Sequence, residues 1–115
     1  MSIIIYHNPK CSKSRTTLAI LEQKNVNFKI IKYLENPPSR NELKQLLIDL
    51  NLEARSLIRK GELEYKENGL DDKELTEDQL ISAMVKTPKL IERPIVRTSK
   101  GVVIGRPPEN ILSIL

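Results

Sequence analysis

At 115 residues with a formal charge of +4, the chain can bury roughly 65% of its unfolded surface, enough for one core rather than two, so a single domain over 1–115 is expected. One Cys and one His can build neither a disulfide scaffold nor a structural zinc site, and no metal is expected. No Trp, one Phe and three Tyr leave few platforms for nucleic-acid bases, and no apolar run approaches the ~20 residues of a membrane span. Met1 to His7 lacks the basic leader and long apolar region of a signal peptide, so the expectation is a cytoplasmic protein without membrane or nucleic-acid partners.

The charges are segregated. Between Glu62 and Asp78 eight acids stand against Lys66 and Lys73, and between Gln79 and Arg106 six bases stand against Glu92 alone. The first run reads as a solvated acidic loop and the second as a basic face.

Ser2 to Tyr6 is a short apolar run that reads as a buried strand, closed by the turn-forming Asn8-Pro9. Leu18, Ile20, Leu21 and Val26 mark one side of a helix beginning at Cys11 or Ser12 and ending near Asn25. Asn27 to Tyr33 alternates Phe28 and Ile30 with Lys29 and Lys32 and predicts a second strand, which completes a right-handed βαβ unit with parallel strands. Ser39-Arg-Asn-Glu42 is a capping box ahead of Leu43, Leu46, Leu47 and Leu50. Glu53 to Lys60 predicts a short helix. Thr76-Glu-Asp-Gln79 repeats the capping signal ahead of Leu80, Ile81, Met84 and Val85, and Pro88 stops that helix.

Ile95 to Thr98 and Val102 to Gly105 are β-branched runs joined by Ser99-Lys100-Gly101, a hairpin signal. Pro107-Pro108-Glu109 opens a last helix, since proline is tolerated in a first turn and an acid there suits the dipole. The order βαβ, helices, ββα is an α/β arrangement of the thioredoxin-like kind, with a helical insertion and one mixed four-stranded sheet.

Cys11 follows a strand and a turn and opens a helix, where unpaired backbone N–H groups and the dipole favour an anion. Lys10, Lys13 and Arg15 add positive charge, with no acid between Tyr6 and Leu21. A thiol acts as a nucleophile only as thiolate, about 3% of the population at an unperturbed pKa of ~8.5 and neutral pH, so this setting suits an activated cysteine better than a buried structural one. In Cys11-Ser-Lys-Ser14 a serine stands where a C-x-x-C motif has its second thiol, so an oxidised Cys11 needs an external thiol. The residue six positions on is Thr17, not the arginine of a C-x5-R phosphatase loop.

His7-Asn-Pro-Lys-Cys11-Ser-Lys-Ser-Arg15 resembles the H-x3-C-x3-R signature of the glutaredoxin-coupled arsenate reductases. The resemblance continues in Tyr33-Leu-Glu-Asn-Pro-Pro38, Leu57-Ile-Arg59-Lys60, Glu92-Arg93-Pro94-Ile95-Val96 and Gly105-Arg106-Pro107. It implies a thioredoxin-like oxidoreductase in which Cys11 attacks arsenate or a similar oxyanion held by Arg59, Arg93 and Arg106. It further implies glutathione as co-substrate, glutaredoxin as partner, no bound cofactor, and a cis peptide at Pro94.

Guanidinium forks suit that chemistry because they bind tetrahedral oxyanions bidentately and keep their charge. By the same resemblance His7 tunes Cys11 or orients its loop; on residue type alone the alternative is a histidine that merely ends a strand. Ser14 and Arg15 support the loop or the thiolate, with Arg15 also readable as an ion-pair partner. Ser12-Lys13 departs from the smaller, uncharged residues of better-known members. Two other readings use the same fold: a glutathione-linked thiol transferase, and a redox regulator that binds RNA polymerase, although such regulators typically carry C-x-x-C and lack the full arginine set.

Overall fold

The computed structural model describes residues 3–115; Ser2, placed in the first strand by its sequence, lies outside them. The chain divides into two compact units, one formed by the described residues up to Asn36 together with Arg93–Leu115, the other by Pro37–Glu92.

The first unit holds β1 (Ile3–Tyr6), α1 (Ser12–Gln23), β2 (Phe28–Ile31), β3 (Ile95–Thr98) and β4 (Gly101–Ile104). The sheet order is β2-β1-β3-β4. β1 pairs in parallel with β2, Ile5 opposite Ile30, and antiparallel with β3, Ile5 opposite Val96. β3 and β4 form the expected hairpin, closed by the Thr98–Gly101 pair. This is the thioredoxin-like sheet that the element order implies. Ile5, Leu21, Val96, Ile111 and Ile114 form its core, with Leu18, Ile20, Val26 and Phe28 packed on it, which is the apolar side anticipated for α1. As the edge strand, β2 has one sheet neighbour, and Ile30 stays 42% exposed although it is paired with fully buried Ile5.

Residues 108–114 wind as a 3₁₀ helix rather than an α-helix. Pro108 takes the first position, and the N–H of Asn110 closes on Pro107 O at 3.0 Å, the i+3 bond that tightens such a coil.

The second unit carries α2 (Arg40–Leu50), α3 (Ala54–Leu57), α4 (Leu63–Glu67), α5 (Glu77–Lys86) and a 3₁₀ turn at Pro88–Leu90. Both capping boxes form as read, with Ser39 accepting from the N–H of Glu42 and Thr76 from that of Gln79. The helix expected over 53–60 stops at Leu57. Ile58 turns extended to bridge Ile91, Arg59 N–H donates to Leu90 O (2.7 Å), and Glu92 N–H donates to Leu57 O (3.0 Å). The backbone groups that would have continued the helix are spent on that bridge.

The acidic run is not a uniformly solvated loop. It contains α4, and Tyr65 and Leu70 are buried. Arg55 staples it by donating to Tyr65 Oη (3.1 Å), Leu70 O and Asp72 O (2.8 Å). The basic run meets it within this unit, Lys89 Nζ lying 2.7 Å from Glu64 Oε2.

Leu21→Ala should cost about 3 kcal/mol, the usual penalty for emptying a fully buried leucine site. A urea titration followed by circular dichroism measures it, with an unchanged slope showing that only the folded state was weakened.

Candidate active site

β1 ends where the chemistry begins. The N–H of His7 extends the parallel ladder to Ile31 O (2.8 Å), and the chain then turns through Asn8-Pro9. Asn8 is buried, with its side-chain Oδ1 accepting from Lys10 N–H (3.0 Å) and its carbonyl from Cys11 N–H (3.0 Å). These bonds deliver Cys11, half-buried and unbridged, to the N-cap position of α1. Its side chain forms no cap bond of regular geometry, but the first-turn amides of Lys13 and Ser14 lie near enough to its sulfur to favour the thiolate.

Ser14 is fully buried one turn in. Its Oγ accepts from Asn8 N–H (3.1 Å) and lies 2.6 Å from His7 Nδ1. Burial, then the charges of Lys32 and Arg15, lower the His7 pKa, so the neutral imidazole is favoured. In the tautomer with Nδ1 unprotonated, Nδ1 accepts a hydrogen bond from the Ser14 hydroxyl while the serine oxygen accepts from Asn8 N–H. His7 is therefore linked to the Cys11 loop through Ser14. Arg15, exposed, donates from Nη1 to Pro9 O (3.0 Å) and ties the same loop from outside.

Arg93 and Arg106 come from the far ends of the hairpin. The register Ile95–Ile104 continues outward, so that Gly105 N–H donates to Pro94 O (2.8 Å) and Arg106 Nε donates to Arg93 O (2.8 Å). Arg106 Nη2 then lies 3.6 Å from Cys11 Sγ. The Arg93–Pro94 peptide is cis, as the resemblance implied, and Arg106–Pro107 is cis as well.

Burial pushes the Cys11 thiol up, but the Ser14 N–H, the Arg93 guanidinium and the Lys13 N–H outweigh it and hold its pKa below the ordinary thiol value. The sequence pointed to the helix-start amides and to positive side chains at Lys10, Lys13 and Arg15; the amides of Lys13 and Ser14 do act on the sulfur, whereas the charge that does so is that of the distant Arg93.

Arg59 belongs to the 37–92 unit. There Nε pairs with Glu62 Oε1 at 3.2 Å and Nη1 with Glu92 Oε1 at 2.5 Å, all three side chains half-buried. The Glu62 and Glu92 partners were not singled out from sequence, although Glu62 follows Arg59 by only three residues. Asn8 was read only as a turn residue. Among the described residues no cluster of His, Cys, Asp and Glu gathers for a metal ion, and no helix is long and apolar enough to cross a membrane.

Fold and site together define a thioredoxin-like protein that sets one cysteine at a helix start beside two guanidinium groups. The profile of the ArsC family matches residues 6–114, and the chain belongs to that family. It is 46% identical over 114 residues to the arsenate reductase of Acidiphilium multivorum, covering 99% of this chain and 81% of that one. It is 49% identical over 112 residues to the uncharacterized protein YfgD of Escherichia coli, covering 96% and 94%. The solved arsenate reductase of Vibrio cholerae superposes with a TM-score of 0.96 at 53% identity, covering all of this chain and 98% of that one.

Arg93→Ala should raise the pH of half-maximal alkylation of Cys11 by about one unit, because it removes a charge-assisted hydrogen bond from the thiolate. A pH series of iodoacetamide rates measures it. The same coupling favours thiolate in the folded state, so its share of stability is complete above the ordinary thiol pKa and is lost as pH falls through the lowered one.

Proposed function

We propose that this protein is an arsenate reductase in which Cys11 is the nucleophile and Arg93 and Arg106 hold the oxyanion. The observation that carries this reading is the Cys11 sulfur itself, its pKa lowered by the α1 amides and Arg93 and its edge approached by Arg106 at 3.6 Å. Nucleophile and anion donors thus converge at one point, the arrangement that stabilises charge developing on a substrate oxygen. Membership of a family whose relatives include arsenate reductases supplies the substrate. Arg59 is the third arginine that resemblance assigns to the oxyanion, and its donors must then exchange a carboxylate of Glu62 or Glu92 for a substrate oxygen.

The Cys11 thiolate attacks arsenic and an oxygen leaves as water after protonation, giving a sulfur–arsenic adduct. Glutathione attacks that adduct, and the electron pair that reduces As(V) to As(III) comes from thiol sulfur, which ends as disulfide. Glutaredoxin completes the turnover by thiol exchange. Overall, one arsenate and two thiols give one arsenite, one disulfide and one water. The chain has a single cysteine, so both the second thiol and the resolving step come from outside. His7, Ser14 and Arg15 act as positioning residues for the loop, and Pro94 places Arg93.

In an assay supplying arsenate, glutathione, glutaredoxin and its reducing system, Cys11→Ser should abolish arsenite formation. Arg93→Ala and Arg106→Ala should each lower kcat/KM about a hundredfold, the scale of losing one preorganised donor. Unchanged turnover in the cysteine variant sinks the proposal.

A further inference from the structure

Gly105 stands between β4 and Arg106, buried, and the reason for a glycine there is space. Its φ lies outside the left-handed region, so any L residue could adopt the backbone. A Cβ at this position, however, would stand 2.6 Å from Thr17 Oγ1, 2.9 Å from Pro94 Cγ and 3.3 Å from Thr17 Cγ2. Neither neighbour is a yielding tip. Thr17 is fully buried and β-branched, and its Oγ1 donates to Lys13 O at 2.8 Å, which fixes its rotamer. Pro94 is a ring whose carbonyl accepts the Gly105 N–H at 2.8 Å.

The three residues join the two halves of the site. Thr17 lies one turn beyond the Lys13 and Ser14 amides that face the sulfur and is bonded back to the first of those residues. Gly105 and Pro94 adjoin Arg106 and Arg93 in the chain. The contact at Gly105 is thus where α1 meets the paired segments that deliver both arginines.

We propose that Gly105 and Thr17 form a joint that sets the separation between the first turn of α1 and Arg93 and Arg106, making both positioning residues for the Cys11 sulfur. The joint rests on the reading of Cys11 as an activated nucleophile, and not on arsenate being the substrate. A methyl group at Gly105 has to push α1 or Pro94 outward. Either movement lengthens the approach of Arg106 Nη2 to Sγ, already 3.6 Å, and weakens the hold on a charged sulfur.

The experiment compares wild type, Gly105→Ala, Thr17→Ala and the double variant by iodoacetamide alkylation of Cys11 across pH, with melting curves in parallel. Gly61→Ala is the control, because nothing lies within 4 Å of a Cβ there. Gly105→Ala is expected to alkylate about tenfold more slowly near neutral pH, with its profile displaced upward. Gly61→Ala should keep the wild-type profile, whereas Thr17→Ala, which removes one side of the joint, should slow alkylation by much less than Gly105→Ala does. The double variant should recover most of the lost rate, because removing Oγ1 and Cγ2 leaves Pro94 as the only close contact.

A Gly105→Ala protein that folds and alkylates like wild type overturns the proposal. So does a double variant that remains as slow as the single one, since general loosening would not be relieved by a second deletion. Should Gly105→Ala fail to fold, the double variant decides: folded with a wild-type profile it supports the joint, and unfolded or slow it refutes it. Loss of arsenate turnover is measured separately with Cys11→Ser, so failure of the substrate assignment leaves this result standing.

Discussion

A charged sulfur half-buried at the start of a helix has to be compensated by donors that reach it without reorganising, because burial alone drives the thiol toward its neutral form. The segments around Cys11 are arranged to meet that requirement. β1 ends in a loop whose own hydrogen bonds, through Asn8 and Ser14, place Cys11 at the helix cap. α1 supplies the Lys13 and Ser14 amides, which cost nothing to orient because the helix already holds them. The hairpin of β3 and β4 continues past its last ladder pair to bring Arg93 and Arg106 to the same place. Three chain segments, distant in sequence, converge to hold the pKa of one thiol below its ordinary value.

The division of labour explains which parts of this were legible beforehand. The strands, α1 and the two capped helices follow from local signals: period, capping boxes, a glycine-containing hairpin. They fold as read because every signal lies within a few residues of the structure it specifies. α3 fell short of its expected length because Ile58 is claimed by Ile91, a partner more than thirty positions away that no window of local propensity contains. The acidic run hid a packed helix for a related reason. Tyr65 and Leu70 are outnumbered by charges, and only the arginine at 55 shows that their surroundings are built rather than solvated.

The site divides in the same way. Cys11, His7, Ser14 and Arg15 lie within nine residues, and their association could be read from spacing. Arg93 and Arg106 could be tied to them only through resemblance, since the contact from Arg106 to the sulfur spans 95 positions. The backbone part of the thiol's activation was anticipated at the helix start, but the charge that acts on it belongs to Arg93 rather than to the neighbouring lysines. Lys10 and Lys13 bring formal charge but are exposed, where solvent screens them. An amide of the first turn carries only a partial charge, yet it touches the sulfur.

The hydrogen bond from Arg106 Nε to Arg93 O has a consequence for selectivity. With that edge of the guanidinium committed to a carbonyl, Arg106 would, on the proposed chemistry, meet an anion through its terminal nitrogens and recognise little beyond negative charge and tetrahedral shape. Phosphate shares both with arsenate. On the proposed chemistry the two anions therefore compete for the same berth on similar terms, and discrimination comes after capture. Only the anion whose central atom accepts a thiolate and then an electron pair proceeds, while the other departs unchanged. On that chemistry the filter is kinetic, placed at the sulfur rather than at the arginines.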